Sequence, residues 1–263
     1  MRQIPRSSER HNYLISPYPI CFLHGLKSIF HFRDYWHGIP EYLKDQGFLT
    51  YELKSNWRGP NKVRIIQFED QLTEILNVHK KIHIIAHSLA TVNSLELMCR
   101  PHLKGRISSV TLVSPVFGGT PWADYGAKGR KLGLNLFASI NETLTKESAT
   151  RALNNFVKPT DVLVTAIISN PRLDIPRARK VALQHRLLTR ILRKMKLPTE
   201  NDGLVPLASQ RIAKSIGSIW CEFPGDHLQV VGRKPWPANE KTAHETFLEH
   251  CIFLAEHALK TSQ

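Results

Sequence analysis

The chain has 263 residues, 42% of them hydrophobic and 8% aromatic, which is enough to bury a sizeable core and excludes intrinsic disorder as the main state. The length suits one α/β domain with room for a lid, or at most two small domains. The net charge of +14 is unevenly placed, because Arg172, Arg177, Arg179, Lys180, Arg186, Arg190, Arg193, Lys194 and Lys196 crowd one segment, and a cluster of this kind points to phosphate-rich surfaces.

The first sixteen residues, MRQIPRSSERHNYLIS, carry basic side chains with no apolar run after them, and no run anywhere reaches the roughly 18 apolar residues of a spanning helix. The expectation is a cytoplasmic protein without signal peptide or membrane span, with signal-independent secretion as the alternative. Cys21, Cys99, Cys221 and Cys251 stand far apart, with no CxxC and no Cys/His ligand spacing. All four read as packed thiols in a reducing compartment.

In chain order, residues 18–24 form a short apolar run broken at His24-Gly25-Leu26, as a buried strand is. The glycine is either an ordinary strand–loop junction or the turn that aims the Leu26 amide at a site. Residues 34–46 read as a helix with Tyr35, Ile39, Tyr42 and Leu43 on one face and an irregular middle at Gly38-Ile39-Pro40. A second strand is predicted over 48–53 and a loop over 56–61. An amphipathic helix follows over 63–80, with Ile65, Ile66, Phe68, Leu72, Ile75, Leu76 and His79 as its apolar stripe.

Residues 82–90, Ile-His-Ile-Ile-Ala-His-Ser-Leu-Ala, are a β-branched run ending in small-His-Ser-x-small, and a helix through about Cys99 stops before Pro101. That is the pattern of a strand–sharp turn–helix elbow with a serine at its tip. Residues two before and two after the serine must be small there, because strand and helix nearly touch. Another strand over 107–113 ends at Ser114-Pro115. The alternation implies βαβ units and a mostly parallel sheet with helices on both faces. In such sheets reacting groups collect outside the carboxyl ends of the strands, where His24, Ser88 and Ser114 all stand.

Residues 117–160 break the rhythm, opening on Gly118-Gly119-Thr120-Pro121, and a strand resumes over 161–168. In the basic segment Val181, Leu183, Leu187, Leu188, Ile191, Leu192 and Met195 alternate with cations, as in a cap helix with a solvated face or a helix lying on a membrane. The domain reading is one unit over 1–263 with helical cap or lid insertions around 118–160 and 170–198. A turn at Asn201-Asp202-Gly203-Leu204-Val205-Pro206, a last strand over 217–223, the segment Asp226-His227-Leu228 and a closing helix over 239–259 complete the chain.

Ser88, Asp202 and His227 thus sit at strand ends in the order Ser…Asp…His that this architecture uses for a catalytic triad. A serine hydroxyl needs a base to take its proton as it attacks an acyl carbon, which is the task of His227. Asp202 would accept the other ring N–H and fix the tautomer, and the amides of Leu26 and Leu89 would hold the oxyanion. Asp174 follows the 161–168 strand more directly and remains an alternative acid. Asp226 adjoins His227 too closely to orient its ring. His87, His244, His250 and His257 read as packing or surface residues.

The chain resembles the bacterial triacylglycerol lipases of the Pseudomonas/Burkholderia type, within the α/β-hydrolase superfamily. The pieces are PICFLHGL (19–26), YWHGIPEYL (35–43), IHIIAHSLA (82–90), SPVFGGTPWAD (114–124), NDGLVP (201–206) and DHLQVVG (226–232). The resemblance implies an α/β-hydrolase with nucleophile Ser88, acid Asp202 rather than Asp174, base His227 and oxyanion donors Leu26 and Leu89. Three departures stand out. Those lipases have Gly-His-Ser-x-Gly-Gly where this chain has Ala86-His87-Ser88-Leu89-Ala90-Thr91. They bind calcium through an Asp where Gln229 stands, a poorer ligand, so neither metal nor cofactor is expected. Some carry a disulfide cysteine where this chain has Ala208.

The expected activity is therefore serine ester hydrolysis of an acyl ester, lipid in character, through an acyl-enzyme. Acyl transfer by the same triad and an inactive hydrolase fold serving as a membrane- or protein-binding module are the alternatives. The expected partners are the substrate and an anionic membrane surface met by segment 172–196, with no nucleic acid, since no aromatic-basic interleaving is visible.

Overall fold

The computed structural model describes residues 14–26, 34–56, 59–121, 123–124, 142–171, 200–234 and 241–260. Six strands, β1 (Ile20–Leu23), β2 (Thr50–Leu53), β3 (Ile82–His87), β4 (Ile107–Val113), β5 (Leu163–Ser169) and β6 (Ser218–Phe223), form one sheet in the order β2-β1-β3-β4-β5-β6. Every pairing is parallel. All their carboxyl ends therefore open on the same edge of the sheet.

The three central strands, β1, β3 and β4, are buried at every residue, as a sheet covered on both faces requires. On one face Ile84, Ala86, Val110 and Leu112 pack under α2 (Asn61–Leu76) and α3 (Leu89–Met98). On the other, Phe22, Ile85, Val113 and Ile167 meet α1 (Ile39–Asp45) and the long closing helix α6 (Ala243–Lys260) through Ile39, Leu43, Phe247 and Cys251. The helices α4 (Lys146–Asn154) and α5 (Leu207–Arg211) stand after β4 and β5, and α4 packs on α3.

The α1/α6 face also buries a polar row. His83 of β3 bonds the Ser16 and Ser109 hydroxyls at 2.8 Å each, and His250 of α6 bonds Thr111 at 2.7 Å. Burial disfavours the charged rings and pushes both down to about 3, with His257 adding repulsion at His83 and His83 adding it at His250.

Three details correct the sequence reading, and a fourth expectation falls mostly beyond the described residues. The helix expected over 34–46 starts only at Ile39, because Gly38 takes a left-handed φ of 81° and Pro40 can occupy only the first turn. The stripe of α2 is rotated: Arg64 is buried with Ile65, Phe68, Leu72 and Leu76, whereas Ile66 is exposed. Cys99 is exposed, since it caps α3 beyond the last buried residue, Met98, while Cys21 and Cys251 are buried and Cys221 half-buried, all as free thiols. Of the cap or lid insertions placed around 118–160 and 170–198, residues 118–121, 123–124 and 142–160 are described and hold α4, whereas 125–141 and 172–198 lie outside the described residues, as do the basic segment 172–196 and Asp174.

Candidate active site

Ser88 ends β3 and starts α3 with φ 57° and ψ −124°, a backbone conformation that costs a non-glycine residue about 1–3 kcal/mol and persists only where its surroundings impose it. Three contacts do so. The Ser88 amide donates to the Val113 carbonyl of β4 at 2.9 Å. The Thr91 hydroxyl donates to the Ser88 carbonyl at 2.6 Å and accepts the Val116 amide at 3.3 Å, tying the loop after β4 to the elbow. Gly25, just past β1, lies so close that an added Cβ would sit 2.8 Å from Ser88 Cβ and 2.9 Å from the His87 carbonyl oxygen. Ala86 and Ala90 are both fully buried at the crossing.

The loop at Gly25 is itself pinned. Its amide donates to Tyr35 Oη at 3.0 Å, and the phenol, which burial keeps protonated, shares a hydrogen bond with His87 Nδ1 at 2.6 Å. On the carbonyl side, His24 Nδ1 donates to Gly25 O at 2.8 Å while its Nε2 accepts the Ser55 amide at 3.1 Å, which fixes the His24 tautomer. Arg64, 0% exposed, donates Nη2 to His24 O at 2.8 Å and to Gly25 O at 3.3 Å. Burial lowers its guanidinium to about 10, so it remains a cation at neutral pH. In a trans peptide the C=O and the next N–H point opposite ways, so with Gly25 O engaged by His24 and Arg64 the Leu26 N–H points away from both.

Asp202 is held by hydrogen bonds instead. Gly203, at φ 100°, turns the chain so that Asn201 and Pro206 pair across the loop. Asp202 Oδ1 accepts the amides of Leu204 at 3.0 Å and Val205 at 2.7 Å. Asp202 Oδ2 accepts His227 Nδ1 at 2.7 Å and Gln210 Nε2 at 2.9 Å. The His227 amide also donates to the Asp202 carbonyl at 2.9 Å, locking the two loops together. Across the ring, His227 Nε2 stands 2.9 Å from Ser88 Oγ. A carboxylate only accepts, so the ring proton is on Nδ1 and Nε2 is the free acceptor facing the serine hydroxyl. Ser88 is 9%, His227 4% and Asp202 0% exposed.

The structure thus brings Ser88, His227 and Asp202 into one line. Leu26, at the end of the Gly25 loop, is half-buried, and Leu89 opens α3, where an N-terminal amide has no intrahelical carbonyl. Asp226 is turned to the amides of Leu228 and Gln229 through Oδ1. Gln229 Oε1 accepts the Asp226 amide at 2.9 Å. Among the described residues no group of three His, Cys, Asp or Glu is arranged to hold a metal. His87 lies with its ring centroid 4.6 Å from that of His227. A small apolar cluster of Leu89, Val116, Ala123, Leu144 and Val205, with Leu26 and Leu204, flanks the serine.

Comparison with solved structures supplies the remaining observation. A metagenomic carboxyl esterase superposes with a TM-score of 0.73 at 18% identity, over 92% of this chain and 76% of that one. The mature form of a lipase from Bacillus licheniformis gives 0.66 at 15%, over 90% and 92%. Lipase 1 from Pelosinus fermentans gives 0.67 at 15%, over 92% and 99%. The chain has the α/β-hydrolase fold. No family model and no curated protein matches the sequence, so within that fold the likeness stops at architecture. Sequence reasoning about this hydrolase fold missed Gln210, Tyr35, Arg64 and the Thr91 clamp. Arg64 left a signal by falling on the Phe68–Leu72 stripe of α2 at i, i+4 spacing, and Tyr35 and Thr91 by standing in YWHGIPEYL and in the altered elbow; Gln210 left none.

Proposed function

We propose that the chain is a carboxylic ester hydrolase that cleaves acyl esters through Ser88, His227 and Asp202. The observation that carries this reading is the line Asp202 Oδ2–His227 Nδ1, 2.7 Å, and His227 Nε2–Ser88 Oγ, 2.9 Å, at the carboxyl edge of a parallel sheet. His227 takes the Ser88 proton as Oγ attacks the acyl carbon, Asp202 stabilises the imidazolium, and the ring then protonates the departing alcohol. Water, activated by the same ring, releases the acid from the acyl-enzyme. The amides of Leu26 and Leu89 receive the oxyanion, and losing one such donor costs about 3–4 kcal/mol of barrier. The Leu26 assignment is supported by the outward turn of its N–H away from Arg64, and that of Leu89 by its place at the start of α3. The flanking cluster of Leu89, Val116, Ala123 and Leu144 suits an apolar acyl chain, hence a lipid ester.

The finer likeness, to triacylglycerol lipases of the Pseudomonas/Burkholderia type, is supported by the way NDGLVP presents Asp202 to His227. One domain over 1–263, a cap around 118–160 and 170–198, and contact of segment 172–196 with an anionic membrane belong to the same proposal. They rest on the sequence pattern. Among the described residues no helix is long and apolar enough to cross a membrane.

The test is hydrolysis of short- and long-chain p-nitrophenyl esters, together with fluorophosphonate labelling. Wild type should turn over and label, and Ser88→Ala should lose at least about 10³-fold. Activity that survives the substitution would sink the assignment. Failure to label would favour a binding module, and transfer to an added alcohol in preference to water would make the chain an acyltransferase. Vesicles containing phosphatidylserine should bind the protein at low salt and release it as ionic strength rises; binding that ignores salt removes the membrane role of the basic segment.

A further inference from the structure

Gln210 is a fully buried polar side chain that the triad leaves unused. Its amide is engaged at both ends. Oε1 accepts the Ser169 amide at 2.9 Å, and Nε2 donates to Asp202 Oδ2 at 2.9 Å, with Ser169 O at 3.3 Å and Val205 O at 3.5 Å as longer contacts. Ser169 is the last residue of β5, and its hydroxyl meets that of Ser114 at the end of β4. Gln210 therefore joins the Asp202 carboxylate to the rigid edge of the sheet. It does so at the same oxygen that His227 uses.

We propose that Gln210 is a positioning residue that holds Asp202 Oδ2 in register with the sheet and divides the charge of that oxygen between itself and His227. The proposal rests on the triad reading and adds a fourth member behind it. Asp202, 0% exposed, has two amides on Oδ1 and two side-chain donors on Oδ2, so its carboxylate cannot rotate without breaking bonds that no water replaces. A carboxylate oxygen shared by two donors attracts each less than it would attract one alone. Removing the Gln210 donor concentrates that charge on His227, so the ring keeps its proton to higher pH.

Two variants separate this role from packing. Gln210→Met keeps the shape and removes the N–H. Gln210→Glu keeps the shape, donates only while protonated, and places a second carboxylate beside Asp202 once it ionises. The readout is the NMR titration of ¹⁵N-labelled histidine, with the His227 signal identified by its loss in His227→Asn. It needs no turnover, so it judges Gln210 even if the chain hydrolyses nothing, while fluorophosphonate labelling of wild type judges the triad proposal separately.

The midpoint should rise by about half a pH unit or more in Gln210→Met, and in Gln210→Glu only over the pH range where the new carboxyl is ionised. The acid limb of Ser88 labelling should move with it, giving roughly 3–10-fold slower labelling near pH 6. Among the described residues, the other titratable groups around the ring are His87 on β3, Asp226 in its own loop and, behind His87, Tyr35 and Arg64. All are unchanged in these variants, so a shift reports position 210. An unmoved His227 midpoint in folded Gln210→Met, whatever happens to melting temperature, would overturn the proposal; should Gln210→Met fail to fold, Gln210→Leu, which also lacks the N–H, decides in its place.

Discussion

The elbow at Ser88 and the turn at Asp202 bring two reacting groups to the same sheet edge by opposite means. Beside the Val113 and Thr91 bonds, the elbow is held by volume: a positive φ at Ser88, two buried alanines, and Gly25 packed where no side chain fits. The turn is held by polarity, with four donors converging on one carboxylate. Small residues therefore place the nucleophile, whereas donors in the right directions place the acid. The same distinction accounts for Ala86 and Ala90 standing where the lipase motif that this chain resembles has glycine. The space around Ser88 is kept open from the neighbouring strand, by Gly25.

The two regions should break differently. Asp202→Asn presents an amide to four donors and reverses the proton that fixes the His227 tautomer, so kcat should fall by roughly 10⁴-fold. Measuring fluorophosphonate labelling and ester turnover together checks it, and a loss under tenfold would mean that Asp202 does not orient the ring. Gly25→Ala leaves every polar partner in place and adds only a methyl, 2.8 Å from Ser88 Cβ and 2.9 Å from Tyr35 Oη. Something must shift, and a displacement near the nucleophile should cost about 10²-fold in kcat with about 1–3 kcal/mol of stability. Wild-type rates would show that the elbow has slack.

Acid-limb comparisons between the regions also need a fold that survives acid, and here the buried histidines set the range. Unfolded, His83 and His250 titrate near 6.5, whereas burial holds them at about 3 in the fold. Above the unfolded value both states are neutral and the difference is silent. As pH falls from there toward 3 only the unfolded chain takes up protons, so stability drops by up to about 1.4 kcal/mol per pH unit for each ring. His250→Gln, which can still bond Thr111, should flatten the fall of the urea midpoint between about pH 6 and 4. An unchanged slope would show that His250 is charged in the fold.

Most of the frame was legible because it is written in local patterns. The strand over 107–113 and the Ser…Asp…His order could be read directly, since period, breakers and chain order are properties of contiguous residues. Gln210 could not, because it sits on a five-residue helix whose burial depends on the turn before it and on the end of β5, 41 residues away. Arg64 was passed over because a cation on an apolar stripe is normally at its edge, whereas here two backbone carbonyls of the Gly25 loop receive it. Thr91 stands where the lipase motif that this chain resembles carries glycine, and only the approach of Val116 reveals what its hydroxyl bridges.

The order of the strands has a consequence for the newborn chain. Four of the six, β2, β1, β3 and β4, and the elbow between them come from the first 113 residues, while His227 lies 139 residues beyond Ser88. A chain that leaves the ribosome amino end first can pack Ser88 into its bend long before any base exists to take its proton. Under the proposed mechanism, the growing protein therefore carries its nucleophile unarmed through synthesis. On that mechanism, the ester chemistry waits until the residues after β6 have been made and packed against the elbow.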